Sequence, residues 1–258
     1  MGEEAVDLLG ARIDPLSRAE VVAQLESCLR DKRRCLVITA NVDQVVNLQK
    51  SSALQKAYRK ADLVVADGVP LLWGARFLGR PLRGRVAGSD IIFDLCALSH
   101  RGGYRIYLLG GRPGVARAAA AVIAREYPAA VIAGCACPPM GFEQDSALVK
   151  RTVEEIRAAR PDLLLVGLGS PKQEVFLAEN WERLGVTVGL GVGIALEFLA
   201  GTQRRAPIWM QNAGLEWSWR LSREPSRLWR RYLVKDPRFF WLILRERWSR
   251  TRRQQMPV

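Results

Sequence analysis

An acid stands at Asp67, directly after the apolar run Leu63-Val64-Val65-Ala66 and directly before Gly68. A carboxylate at the end of a buried strand lies at the mouth of a crevice rather than on a solvated helix face. Two roles fit it: a general base that accepts a proton, or the N-cap of the next helix. Thr39-Ala40-Asn41 follows a second apolar run, with Asp43 beyond. Glycine and polar residues also close the later runs, as Gly110-Gly111-Arg112-Pro113-Gly114, as Gly167-Leu168-Gly169-Ser170-Pro171-Lys172-Gln173-Glu174, and as Gly191-Val192-Gly193. Such residues at every strand end fit a shared phosphate- or sugar-binding crevice. Gly110 and Gly111 equally fit a plain βα turn, because the run is not G-x-G-x-x-G.

Other chemistries have little to work with. The chain has one histidine, so a multi-histidine metal site is excluded, and His100 sits at an expected helix end. Cys28, Cys35, Cys96, Cys135 and Cys137 are an odd, scattered set with no secretory signal before them, which predicts free thiols in a reducing cytosol. No D-x-D pair occurs to hold a metal against a nucleotide diphosphate. The sequence therefore assigns no metal and no cofactor, and leaves arginine to neutralise phosphate charge.

The elements that would position these residues are short. Apolar β-branched runs at Cys35–Thr39, Leu63–Ala66, Tyr104–Leu109, Ala130–Ala133, Leu163–Val166 and Val186–Leu190 predict buried strands. Val6–Ile13 reads as one further strand. Helical patterns lie between them, at Ser17–Leu29, Val45–Lys60, Val69–Leu78, Ser89–Ser99, Val115–Glu126, Asp145–Ala159 and Pro171–Arg183. Strands alternating with helices predict an α/β fold with a parallel sheet, helices on both faces and ligands at the C-terminal strand ends. The longest uncharged stretch is Tyr127–Phe142, interrupted by prolines, so a membrane span of ~20 apolar residues is not expected.

Charge divides the chain. The 258 residues carry a formal +13, of which 202–258 hold +10, with six of the eight tryptophans. This predicts a nearly neutral core, 1–201, and a basic, Trp-rich helical appendage, 202–258. Basic plus aromatic composition fits an anionic membrane surface or a nucleic acid. The run Phe239-Phe240-Trp241-Leu242-Ile243-Leu244, flanked by Arg238 and Arg245, is too apolar for a solvated nucleic-acid face. It leaves membrane contact and packing on the body as alternatives. Trp209, Trp217 and Trp219 read as packing residues rather than ligand-stacking ones, and Pro207 and Pro225 as helix punctuation.

Four blocks together resemble the WecG/TagA/CpsF glycosyltransferases of bacterial surface-polysaccharide assembly. They are Thr39-Ala40-Asn41-Val42-Asp43-Gln44; Ala61–Gly68 with Gly84-Arg85-Val86-Ala87-Gly88-Ser89-Asp90; Val166–Glu174; and Gly201–Gln211 running through Gly214-Leu215-Glu216-Trp217 to Arg227. The resemblance spans about Asp7 to Arg238. It implies a Rossmann-like core and an appendage that closes the active site and touches the cytoplasmic face of the inner membrane. It implies metal-independent, inverting transfer of an N-acetylmannosamine-type sugar from a UDP donor to a polyprenyl-diphosphate-linked saccharide. Asp67 then matches the general base, with Thr39 and Asn41 beside it. Arg85 and Gln173 match substrate contacts, and Gly110, Gly111, Gly169 and Lys172 fall along the same strand ends. Arg220, Arg227 and Arg231 are the arginines that would meet the diphosphate.

The chain departs from the family after its last strand. The usual Gly-Gly-x-Phe-Asp is here Gly193-Ile194-Ala195-Leu196-Glu197. Glu197 thus takes the place of an aspartate near the expected uridine site, and UDP-glucose, UDP-glucuronate and UDP-mannosaminuronate stay open as donors. A nucleotide-dependent oxidoreductase is disfavoured by the missing G-x-G-x-x-G. A nucleic-acid binder is disfavoured by Asp67 and the apolar run. A homo-oligomer is neither required nor excluded by the sequence.

Overall fold

A computed structural model describes residues 4–254. The first apolar stretch folds back on itself. Strand β1 (Val6–Leu8) pairs antiparallel with β2 (Ala11–Ile13) across Leu9 and Gly10, whose φ values are 56° and 81°. A single strand over Val6–Ile13 is thereby corrected: positive φ at both turn positions matches the twist of a tight hairpin. Helix α1 (Arg18–Arg30) opens with a capping box. The Ser17 hydroxyl accepts the Glu20 N–H, and Glu20 accepts the Ser17 N–H.

Strand β3 (Cys35–Ala40) leads into α2 (Val42–Leu48) and α3 (Ser52–Lys60). One helix over Val45–Lys60 was the expectation, and the chain has two. Ser51 is extended and its hydroxyl accepts the Leu54 N–H at 3.2 Å, so it starts a new helix instead of continuing the old one. Then follow β4 (Leu63–Ala66), α4 (Val69–Phe77), α5 (Gly88–Gly102), β5 (Arg105–Gly110), α6 (Val115–Glu126) and β6 (Val131–Ala136). After these come α7 (Ser146–Ala159), β7 (Leu163–Gly167), α8 (Lys172–Leu184), β8 (Val188–Gly191) and α9 (Ala195–Leu199). His100, in the last turn of α5, accepts the Ala129 N–H at 3.0 Å. The five cysteines are free thiols.

Strands β3 to β8 form one parallel sheet in the order β4-β3-β8-β7-β5-β6. Alternating side chains split the core in two. Leu36, Ile38, Val64, Leu109 and Leu164 pack toward α2, α3, α7 and α8. Val37, Val65, Leu108, Leu165 and Leu190 pack toward α1, α5, α6 and α9. This is the α/β fold read from the strand and helix pattern, and every parallel strand delivers its C-terminal end to the same edge.

The chain ends in α10 (Ile208–Asn212), α11 (Glu216–Arg223), α12 (Pro225–Trp229), a π-helical turn (Arg230–Lys235) and α13 (Pro237–Gln254). Pro207 and Pro225 stand at helix starts, as a missing N–H allows. Helix α13 divides its apolar run. Phe239 and Ile243 are buried in the layer that holds α2 and α3, whereas Phe240, Trp241, Leu244 and Trp248 are exposed. The close approach depends on Gly74 in α4, where an added Cβ would stand 2.8 Å from the Phe239 ring. Among the described residues no helix is long and apolar enough to cross a membrane. Phe239→Ala should cost about 3–5 kcal/mol, read as a lowered midpoint in chemical denaturation.

Candidate active site

Beyond the ends of β3, β4 and β8 lies a cavity of about 620 Å³. The strand-end loops supply Asn41, Asp67, Arg85 and Ile194 to its wall, and the C-terminal helices supply Glu216, Trp217, Arg220, Arg231 and Tyr232. The cavity exists because residues after Gly201 return over the sheet edge.

Asp67 does not cap α4. Gly68 occupies the N-cap position, and no side-chain cap bond forms there. Among the described residues the Asp67 carboxylate has no hydrogen-bond partner, while its backbone N–H donates to the Ala40 carbonyl and fixes the chain. Burial, with the nearby Glu216 charge adding to it, raises its pKa to about 6, against the pull of Arg85 and Arg220. A carboxylate so placed is a stronger base than an exposed aspartate and remains ionised at neutral pH.

The surrounding arginines differ in what they already hold. Arg85 donates to Asp90 at 3.1 Å and to Glu216 at 3.2 Å. Arg205 closes a square with the same two acids, through a short bond to Asp90 and a 3.9 Å approach to Glu216. Arg231 reaches Asn41 Oδ1 at 3.4 Å and Asp43 at 3.9 Å. Asp236 lies near Arg231 and is raised to about 6 by burial. Arg220 has no ion pair among the described residues, and its Nε is buried without a partner. It is therefore the cavity's most available cation for an incoming anion.

Of the residues singled out from sequence, Asn41, Asp67, Arg85, Arg220 and Arg231 meet in this cavity. Asn41 also caps α2, accepting the Gln44 N–H at 3.1 Å. Thr39 lies beneath, buried, with its hydroxyl donating to the Gly191 carbonyl at 3.3 Å. Gln173 is buried too. Its carbonyl accepts the Gly193 N–H at 3.1 Å, and its amide donates to Glu174 at 2.8 Å. Gly110 and Gly111 answer to packing, since added Cβ atoms would stand 2.7 Å from the Gly167 carbonyl and 2.9 Å from Val115. Gly169 has φ 75°, a turn conformation that glycine adopts freely. Lys172 pairs with Glu143, away from the cavity lining. Arg227 pairs with Glu224, which also accepts from Arg112 and Gln203. Glu197 is buried, and burial raises its pKa.

Two readings of the tryptophans need correction. Trp209 is 64% exposed and Trp217 39%, because neither α10 nor α11 buries a residue. Trp217 instead lines the cavity and tilts against Tyr232, their centroids 6.0 Å apart. Trp219 donates from its indole to the Arg204 carbonyl at 3.2 Å. Glu216 and Asp236 were not singled out as site residues. Their signal was scarcity: they are two of only four acids in the 57 residues after Gly201.

A family model described as the glycosyl transferase WecG/TagA/CpsF family matches residues 6–253. The chain belongs to this family. It is accordingly a glycosyltransferase. A relative from Bacillus subtilis (strain 168) is 32% identical over 186 residues, covering 72% of this chain and 70% of the relative. One from Staphylococcus aureus (strain MW2) is 28% identical over 242 residues, covering 92% and 91%. One from Bacillus spizizenii is 27% identical over 225 residues, covering 87% and 84%. All three carry the name N-acetylglucosaminyldiphosphoundecaprenol N-acetyl-beta-D-mannosaminyltransferase. The family match thus runs through the C-terminal helices that complete the cavity.

The electrostatics of Asp67 can be read directly. In ¹³C-carboxyl NMR, with Asp67→Asn to assign the signal, Asp67 should titrate near pH 6. Arg220→Gln should raise that value by removing a cation. A midpoint near the ordinary 3.8 would contradict the placement.

Proposed function

We propose that this glycosyltransferase moves N-acetylmannosamine from a UDP donor to a saccharide on a polyprenyl diphosphate, with inversion and without a metal. The observation that carries the reading is the Asp67 carboxylate, without a hydrogen-bond partner among the described residues, in one cavity with Arg220, whose Nε is buried and unpartnered. The names of the relatives supply the sugar and the acceptor class.

The chemistry is a single displacement. The acceptor hydroxyl attacks the anomeric carbon from the face opposite the diphosphate, and its proton passes to Asp67. The new C–O bond forms as the bond between the anomeric carbon and the diphosphate oxygen breaks. The electron pair leaves with UDP. Negative charge then grows on the diphosphate, and Arg220 and Arg231, which line the cavity, are the cations that would meet it. Fixed cations in a closed site stabilise such charge without reorganising. Asn41, held by its capping bond and by Arg231, is placed to orient a sugar hydroxyl.

The acceptor's lipid implies a membrane-facing side, and we assign it to the exposed aromatic face of the 202–258 appendage, docked peripherally on the cytoplasmic leaflet. Phe240, Trp241, Leu244 and Trp248 are exposed on α13, with Leu233 and Val234 exposed just before it. Arg245 lies over the Trp241 ring at 5.6 Å, so cation and aromatic reach the same interface. Phe240 and Leu233 also line the cavity, which joins that face to the site.

Purified protein, UDP-N-acetylmannosamine and a short-chain N-acetylglucosaminyl diphosphate lipid should yield the disaccharide lipid by mass spectrometry, at a rate unchanged by EDTA. No product, a faster reaction with UDP-glucose or UDP-glucuronate, or EDTA inhibition reversed by Mg²⁺ would contradict the corresponding part. In sedimentation with phosphatidylglycerol vesicles, Trp241→Ser with Trp248→Ser should weaken binding about tenfold or more. Equal binding would contradict the docking face.

A further inference from the structure

We propose that Glu216 is the positioning residue that holds Arg85 away from Asp67, leaving Asp67 free to take the acceptor's proton. The inference rests on the reading of Asp67 as the base.

The geometry begins with Arg85. Its two terminal nitrogens are divided between Asp90, at 3.1 Å, and Glu216, at 3.2 Å. Asp67 lines the same cavity as Arg85 yet receives no hydrogen bond from it among the described residues. An arginine fork pairs readily with any carboxylate in reach. If Arg85 closed on Asp67, it would lower the pKa of that carboxylate and occupy the lone pairs that must take the proton. Glu216 prevents this by geometry, competing for one arm of the fork.

Glu216 is itself held. It stands at the first turn of α11, and Arg205 approaches its other oxygen at 3.9 Å while binding Asp90. The side chains of the square are only 16–22% exposed, so solvent screens them weakly. The charged groups acting most strongly on Asp67 are Glu216 and Arg220 from α11, Arg85 from the loop before α5, and Asp90 from α5; Arg231 from the π-helical turn and Asp236 just after it line the same cavity. Glu216 and Asp90 push its pKa up; Arg85 and Arg220 pull it down. Losing the Glu216 charge therefore acts twice in the same direction, directly and by releasing Arg85. Because Glu216 lies beyond Gly201, the base is tuned only when the C-terminal helices are docked.

The test is the pH dependence of kcat/KM for Glu216→Gln, a nearly isosteric change. The acid limb should move down by about half a pH unit or more. kcat at pH 7.5 should fall about tenfold or more, with the donor KM little changed. Asp90→Asn frees the other arm of the same guanidinium and should shift the limb the same way by less. Glu216→Asp should recover part of the wild-type profile. A limb that stays in place in folded Glu216→Gln or in folded Asp90→Asn overturns the proposal. If Asp67→Asn remains active, the base reading itself fails; if Asp67→Asn is inactive and the limb does not move, only the role of Glu216 fails.

Discussion

The square of Arg85, Asp90, Arg205 and Glu216 is the contact on which the site depends. Two of its members belong to the strand-end region of the sheet and two come from beyond Gly201. Partly buried charges are costly unless paired, and here each acid meets two guanidinium groups. The square therefore fixes where α11 starts. That start brings Glu216, Trp217 and Arg220 into the lining of the cavity that also holds Asp67. Without this register the sheet edge would offer Asp67 to open water, where burial could not raise its pKa.

The C-terminal helices join two demands that pull apart. Phe239 and Ile243 must be covered, and Gly74 gives them room against α4. On the same helix Phe240, Trp241, Leu244 and Trp248 stay uncovered. One helix thus uses apolar residues for anchorage on one side and leaves an apolar stripe on the other. An exposed stripe next to arginines is unfavourable in water alone. It is the face that the proposed docking on a lipid surface would use.

Much of the core was legible because buried parallel strands are short, apolar and β-branched. Leu63–Ala66 and Val115–Glu126 have in the structure the bounds read from sequence. The misses are local. A hairpin at Leu9-Gly10 and a helix break at Ser51 each depend on one or two residues inside an otherwise continuous pattern. The site was legible where chemistry sits at a strand end, as with Asp67 and Asn41. It was less legible for Glu216, whose meaning depends on a contact with Arg85, 131 residues earlier in the chain. Trp209 and Trp217 misled for a related reason. Large rings usually mark a core, but α10 and α11 have no second layer to cover them.

The central claim is that Asp67 accepts the acceptor's proton in the transferring step. Single-turnover transfer by Asp67→Asn, with donor affinity measured separately, tests it most directly. The account predicts a rate for bond formation lower by ~10²–10⁴-fold, with UDP-sugar binding essentially retained. A near-normal single-turnover rate in that variant would contradict it.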